Sequence, residues 1–223
     1  MSRDREAGLV KAIEDLIRDV GTHYSWAIPD ICPISYEKTG NTLTDTLNLR
    51  AACHLLWLTE PERRQEICGW YVRRWGKIAK TSDDRIAHYV ETLARGALPD
   101  RLMGVASWSK VASICDPNKY PIYDARVAFA LNALLIRDNI ALAPFRMPGS
   151  QSTTINAALK RLKAHGIKES NVNTPVDDYR RYMALMHRFG TRISLAEMAL
   201  FGSAPMLAAG LPAPSAAPRL ARS

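Results

Sequence analysis

Apolar residues recur every three or four positions along nearly the whole chain, the spacing of a buried helix face. Leu9, Val10, Ile13, Leu16, Ile17 and Val20 form the first stripe, and Gly21 offers it a left-handed stop. Residues 21–41, rich in Pro, Gly, Tyr and Trp, lose the period and read as a long ordered loop rather than a strand pair. Thr44 can cap a second helix that runs through Leu58. Thr59-Glu60-Pro61-Glu62 has capping-box spacing with proline near the first turn, and opens a helix reaching about Lys80. Ser82, followed by Asp83 and Asp84, opens another that ends near Gly96, the acidic pair suiting the positive end of the helix dipole.

Beyond Pro99 the pieces shorten. The pattern predicts a turn at Met103-Gly104, a short helix from about Ser109, and a turn at Asp116-Pro117-Asn118. A longer helix follows from Asp124 to about Asn139, burying Val127, Leu131, Leu134 and Leu135. After a loop containing Pro144, Pro148 and Gly149 comes a helix with Ile155, Leu159 and Leu162, closed by Gly166. Thr174-Pro175 starts the next, and Ser194-Leu195-Ala196-Glu197 is a second capping box whose helix ends at Gly202. From Ser203 the chain is rich in Ala and Pro. The expectation is one all-α domain over 1–202 and a flexible, dispensable tail over 203–223.

Composition changes this picture little. With 47% hydrophobic and 23% charged residues the chain can bury a core, which argues against global disorder. Its formal net charge of +8 is less ordinary and favours a polyanionic partner, because each phosphate contact releases counterions. The N-terminal residues are charged, and no apolar run reaches the ~20 residues of a membrane span. Cytoplasmic residence is the expectation, with no membrane partner. Cys32, Cys53, Cys68 and Cys115 stand far apart in apolar helical patterns, which suits free thiols better than a metal site.

Several familiar sites are absent: GxxxxGK, GxGxxG, HExxH and GxSxG do not occur, and the five histidines lack ligand spacing. One stretch stands out. Gly104 to Asp124 sets Lys110 at the start of a short apolar helix, makes a proline-containing turn, and delivers Asp124 to the start of the next helix. An amine there suits nucleophilic catalysis, and Asp124 can cap its helix while presenting a carboxylate to a reaction centre. The plain reading of both is a helix-end charge and an N-cap. Trp108 is either a core aromatic or a wall of a base pocket, and Arg126 either a solvated face or a phosphate contact. Tyr24 and Trp26 either stack on an extruded base or tuck against the core.

Met103-Gly104-Val105, Lys110 and Tyr120-Pro121-Ile122-Tyr123-Asp124 together resemble the helix-hairpin-helix, Gly/Pro, aspartate (HhH-GPD) superfamily of DNA glycosylases. Ser107-Trp108-Ser109-Lys110, Tyr120 to Val127 and Ala196 to Phe201 look closer still to small bacterial proteins of the 8-oxoguanine-glycosylase fold, some linked to defence against phages with modified bases. The chain departs from the superfamily pattern in three ways. Ala106 to Ser109 replace the tight second glycine of the hairpin, the interval from Lys110 to Asp124 is shorter than in endonuclease III-like members, and no cysteine cluster follows. The resemblance implies two helical lobes with the active site between them, and a catalytic Lys110 and Asp124. It implies contacts to DNA or its base from Gly104, Trp108, Ser109 and Arg126. It calls for no metal or cofactor, and for a monomer acting on double-stranded DNA that carries a damaged or modified base. A non-catalytic basic DNA-binding protein and a helical interaction module of a repair or defence operon are the rivals.

Overall fold

The computed structural model describes residues 3–98, 104–165 and 175–211, and every regular element among them is helical. The chain begins with α1 (Arg3–Arg18), bends at Asp19 and resumes as α2 (Val20–His23). Gly21 lies inside α2 and the bend is taken by Asp19 at φ −108°, so the expected glycine stop is corrected.

Helix α3 (Thr42–Thr59) is capped by Asn41, whose side chain accepts from the Thr44 N–H, three residues earlier in the chain than the expected cap at Thr44. The Thr59–Glu62 capping box does not form, because the Thr59 hydroxyl donates back to the Leu55 carbonyl. Pro61 instead starts a 3-10 turn (Pro61–Arg63) leading into α4 (Arg64–Trp70) and a π-helical turn (Tyr71–Trp75). The helix therefore stops five residues short of Lys80. α5 (Asp83–Ala94) has its Ser82 cap as expected, accepting from the Arg85 N–H. α6 (Val105–Cys115) is followed by the turn in which Asp116 accepts from the Asn118 and Lys119 N–H groups. α7 (Ala125–Arg137), α8 (Thr153–Ala164) and α9 (Pro175–Met186) complete the middle of the chain. Met103, Gly166 and Thr174, to which turns and caps were assigned, lie outside the described residues.

A 3-10 stretch with its break at Gly190 leads into α10 (Ile193–Gly210). Two expectations fail here. Ser194–Glu197 makes no cap, since the Glu197 carboxylate is taken by Arg50 across the fold. Nor does the helix end at Gly202. A Cβ there would stand 3.0 Å from the His23 carbonyl and the Tyr24 Cα, so Gly202 permits the close approach of two backbones within a continuing helix. The expected boundary at residue 203 is thus wrong for its first part: Ser203, Ala204, Leu207, Ala208 and Leu211 are buried, while residues 212–223 lie outside the described residues. Truncation after Gly202 is expected to destabilise the protein by at least ~4 kcal/mol, chiefly from exposing the Leu207 and Leu211 pockets. A denaturation midpoint equal to that of the full chain would contradict this packing.

One window within Pro175–Gly210 is long and apolar enough to cross a membrane by length and composition only, and 56% of it is buried inside the fold. The second half of that stretch is the central core helix, packed on α1, α2, α7 and α8. The helices fall into two packing sets: α3 to α6 pack on one another, as do α1, α2, α7, α8 and α10. One apolar core runs through both sets. Two ion pairs with little solvent exposure, Arg50–Glu197 and Lys110–Asp124, tie the first set to the second.

Candidate active site

Gly104 starts α6 in the left-handed region, φ 73° and ψ 53°. It must be glycine for a second reason, because a Cβ would stand 3.0 Å from Ser107 Oγ and 3.1 Å from Tyr89 Oη. The helix thus begins at Val105 rather than Ser109, and Lys110 falls in its second turn instead of its first. All of Ser107 to Ile114 is buried, Lys110 included at 4% exposure. Its stem lies flat against Gly76, where a Cβ would come within 2.7 Å of Lys110 Cδ. Glycine at 76 is what lets the amine reach its partner.

That partner is Asp124, the N-cap of α7. One carboxylate oxygen accepts from the Arg126 and Val127 N–H groups at 3.0 and 3.2 Å, while the other accepts from Lys110 Nζ at 3.2 Å. The carboxylate therefore caps the helix, as read from sequence, and its second oxygen is left to pair with an amine.

The extended segment before Asp124 is held by side chains from three helices. The Ile122 N–H donates to Glu197 at 2.8 Å, and Tyr179 and Tyr182 donate to the Pro121 and Ile122 carbonyls at 2.9 Å each. Burial pushes both phenols well up, which keeps them neutral donors. Glu197 also receives both terminal nitrogens of Arg50, at 2.8 and 2.9 Å. Burial works against the Arg50 charge, yet the Glu197 carboxylate outweighs it and raises the guanidinium pKa.

Ser109 and Trp108 belong to this scaffold, which corrects their expected contact with DNA. Ser109 is fully buried and its hydroxyl accepts from the Tyr123 N–H at 3.0 Å. Trp108, also fully buried, meets Tyr120 and Tyr179 edge-on at 5.8 and 5.3 Å. Neither lines the open space beside the pair. That space is a cavity of about 880 Å³, walled by both packing sets, with Gly104, Lys110, Asp124 and Arg126 on its surface. Tyr24 and Trp26 line it as well, Tyr24 with a phenol that burial pushes up to about 12.

Besides Arg146, sequence reading missed three of its cations, Lys77, Lys80 and Arg85. Among the described residues these three and Arg126 form no ion pair, whereas Arg73 nearby is matched to Asp83. The signal available in the sequence was a Gly-Lys pair at 76–77 closing a helix early. Also among the described residues, no three His, Cys, Asp or Glu side chains are placed to share a metal ion. Comparisons with protein-family models, with curated proteins and with solved structures match nothing to this chain.

Proposed function

We propose that this protein is a DNA glycosylase that extrudes a damaged or modified base and cleaves its N-glycosidic bond. The observation that carries the reading is the Lys110–Asp124 pair in the wall of a cavity rimmed by unpaired cations. A duplex hides the sugar–base bond, so the nucleotide must leave the stack, which costs a few kcal/mol and requires a receiving pocket. A cavity of about 880 Å³ is ample for a nucleotide. The segregation of helices into two packing sets, with the cavity between them, supports the two-lobed architecture that the resemblance implies.

As the bond breaks, its electron pair leaves with the base and positive charge grows at the sugar C1′. The Asp124 carboxylate stabilises that charge. In the bifunctional version Lys110 passes a proton to the Asp124 carboxylate and its nitrogen bonds to C1′ as the bond to the base breaks; the C1′–O4′ bond then opens, a proton moves from the nitrogen to O4′, and an imine is left. In the monofunctional version a water takes that place. Oxidised guanine is the first substrate class the resemblance suggests, and a phage-type modified cytosine the second. The protein would act on such DNA as a cytoplasmic monomer.

Mass spectrometry of bases released from duplexes carrying normal, oxidised and phage-type bases tests the reading. Release of one class is the expected result. Salt-dependent DNA binding without release would replace it with a binding module, and no affinity for DNA with an interaction module. On a processed substrate, borohydride is expected to trap a protein–DNA adduct in the parent and none in Lys110→Gln. Trapping that persists in the variant would move the amine elsewhere.

A further inference from the structure

Two cations meet one aromatic ring at the edge of the cavity. Lys77 Nζ lies 4.1 Å from the centroid of the Trp26 indole, and the Arg126 guanidinium carbon lies 5.1 Å from it and 4.7 Å from the Phe201 ring. The indole is fixed: its N–H donates to the Trp75 carbonyl at 2.9 Å and its ring meets Phe201 edge-on at 5.1 Å. The two charges are therefore no farther apart than the sum of their distances from one ring. Like charges so close repel, and an aromatic face offsets only part of that. An anion between or across them would offset the rest.

Lys77 stands at φ 55°, in the left-handed region that residues with a side chain avoid. The glycine that could take such a conformation freely is one position earlier, and Gly76 is at an ordinary φ of −76°. The Ile78 N–H donates to the Val72 carbonyl at 3.1 Å, so this left-handed residue ends the helix, as Asn139 at φ 49° ends α7, and it sets a lysine at the cavity rim.

Position along the chain identifies the ligand. Lys77 directly follows the glycine that packs on the Lys110 stem, and the Arg126 N–H donates to the Asp124 carboxylate. Each cation is thus attached through its own backbone to one member of the reacting pair. Two cations so placed suit a ligand with an anionic group on either side of one reacting unit, as a nucleotide within a polynucleotide strand has. We propose that Lys77 and Arg126 clamp the two phosphates flanking the nucleotide held in the cavity, with the Trp26 ring setting their spacing. The clamp rests on the reading of DNA as partner, not on base release.

The test is a salt titration of binding to a short duplex containing one abasic-site analogue. Lys77→Gln and Arg126→Gln should each lower the slope of log affinity against log salt by about one, and the double variant by about two. Lys160→Gln, an exposed lysine on α8 away from the cavity lining, removes the same charge and should leave the slope unchanged. Lys77→Gly separates ligand from packing, because it relieves the left-handed strain while deleting the charge. Its melting temperature should hold or rise as its slope falls. A lower melting temperature with an intact slope would overturn the clamp, as would unchanged slopes in both glutamine variants. Base release that persists alongside unchanged slopes would end the clamp alone. Slopes that fall in a parent releasing no base would keep the clamp and end the glycosylase reading, and a parent that binds no duplex would end both.

Discussion

Purified Asp124→Asn should lose base release by a factor of roughly 10²–10³ while still folding and binding DNA. The amide keeps an oxygen for the Arg126 and Val127 N–H groups, and asparagine is as good an N-cap as aspartate. What disappears is the negative charge opposite Lys110 and, in the proposed reaction, opposite the sugar cation. Lys110 is left facing a neutral amide at 4% exposure, so some stability is expected to go with it, about 1–2 kcal/mol. Thermal melts, salt-dependent binding and base release measured on one preparation separate these effects. Near-normal release from a folded variant would remove Asp124 from the mechanism.

Among single substitutions the largest loss of stability should come from Glu197→Ala, about 3–5 kcal/mol in chemical denaturation. That substitution leaves the Arg50 guanidinium buried without its carboxylate and takes the acceptor from the Ile122 N–H. Replacing both partners by apolar residues, Arg50→Met with Glu197→Leu, should recover much of the stability because no buried charge is then stranded. It should not recover base release, since the segment leading to Asp124 has still lost its anchor on α10. A single Glu197→Ala variant within about 1 kcal/mol of the parent would show the pair to be dispensable, against the expectation for a buried ion pair.

The elements that were legible in the sequence are those whose signal is local. Ser82 caps its helix and Asp116 closes its turn because each bonds N–H groups two or three residues away, and nothing distant competes. Asp124 was read as an N-cap, and it is one, for the same local reason. Reading failed where a distant partner outbid the local one. Glu197 has the spacing of a capping box, but a lone carboxylate in an otherwise apolar helix is drawn to a buried guanidinium far along the chain. Gly21 and Gly202 look like stops, yet one sits inside a helical turn and the other admits a neighbouring backbone. Trp108 and Ser109 stand beside Lys110 in sequence and behind it in space, because successive residues of a helix point about 100° apart. The cavity cations at Lys77, Lys80 and Arg85 come from a different packing set than Asp124, and no spacing rule reaches across that gap.

The π-helical turn at Tyr71–Trp75 is wider than an α-turn, its Gly76 N–H reaching back five residues to the Tyr71 carbonyl. Such a turn holds one residue more than an α-helix would fit in the same place. Deleting any one of its five residues would let the ladder close regularly, and all that follows would swing by about 100° around the axis. Gly76 would then leave the Lys110 stem and Lys77 the face of Trp26, with every side chain in both contacts still encoded. The wall of the cavity is thus set by a count of residues as much as by their kinds, and a single in-frame codon loss would open it without touching either member of the Lys110–Asp124 pair.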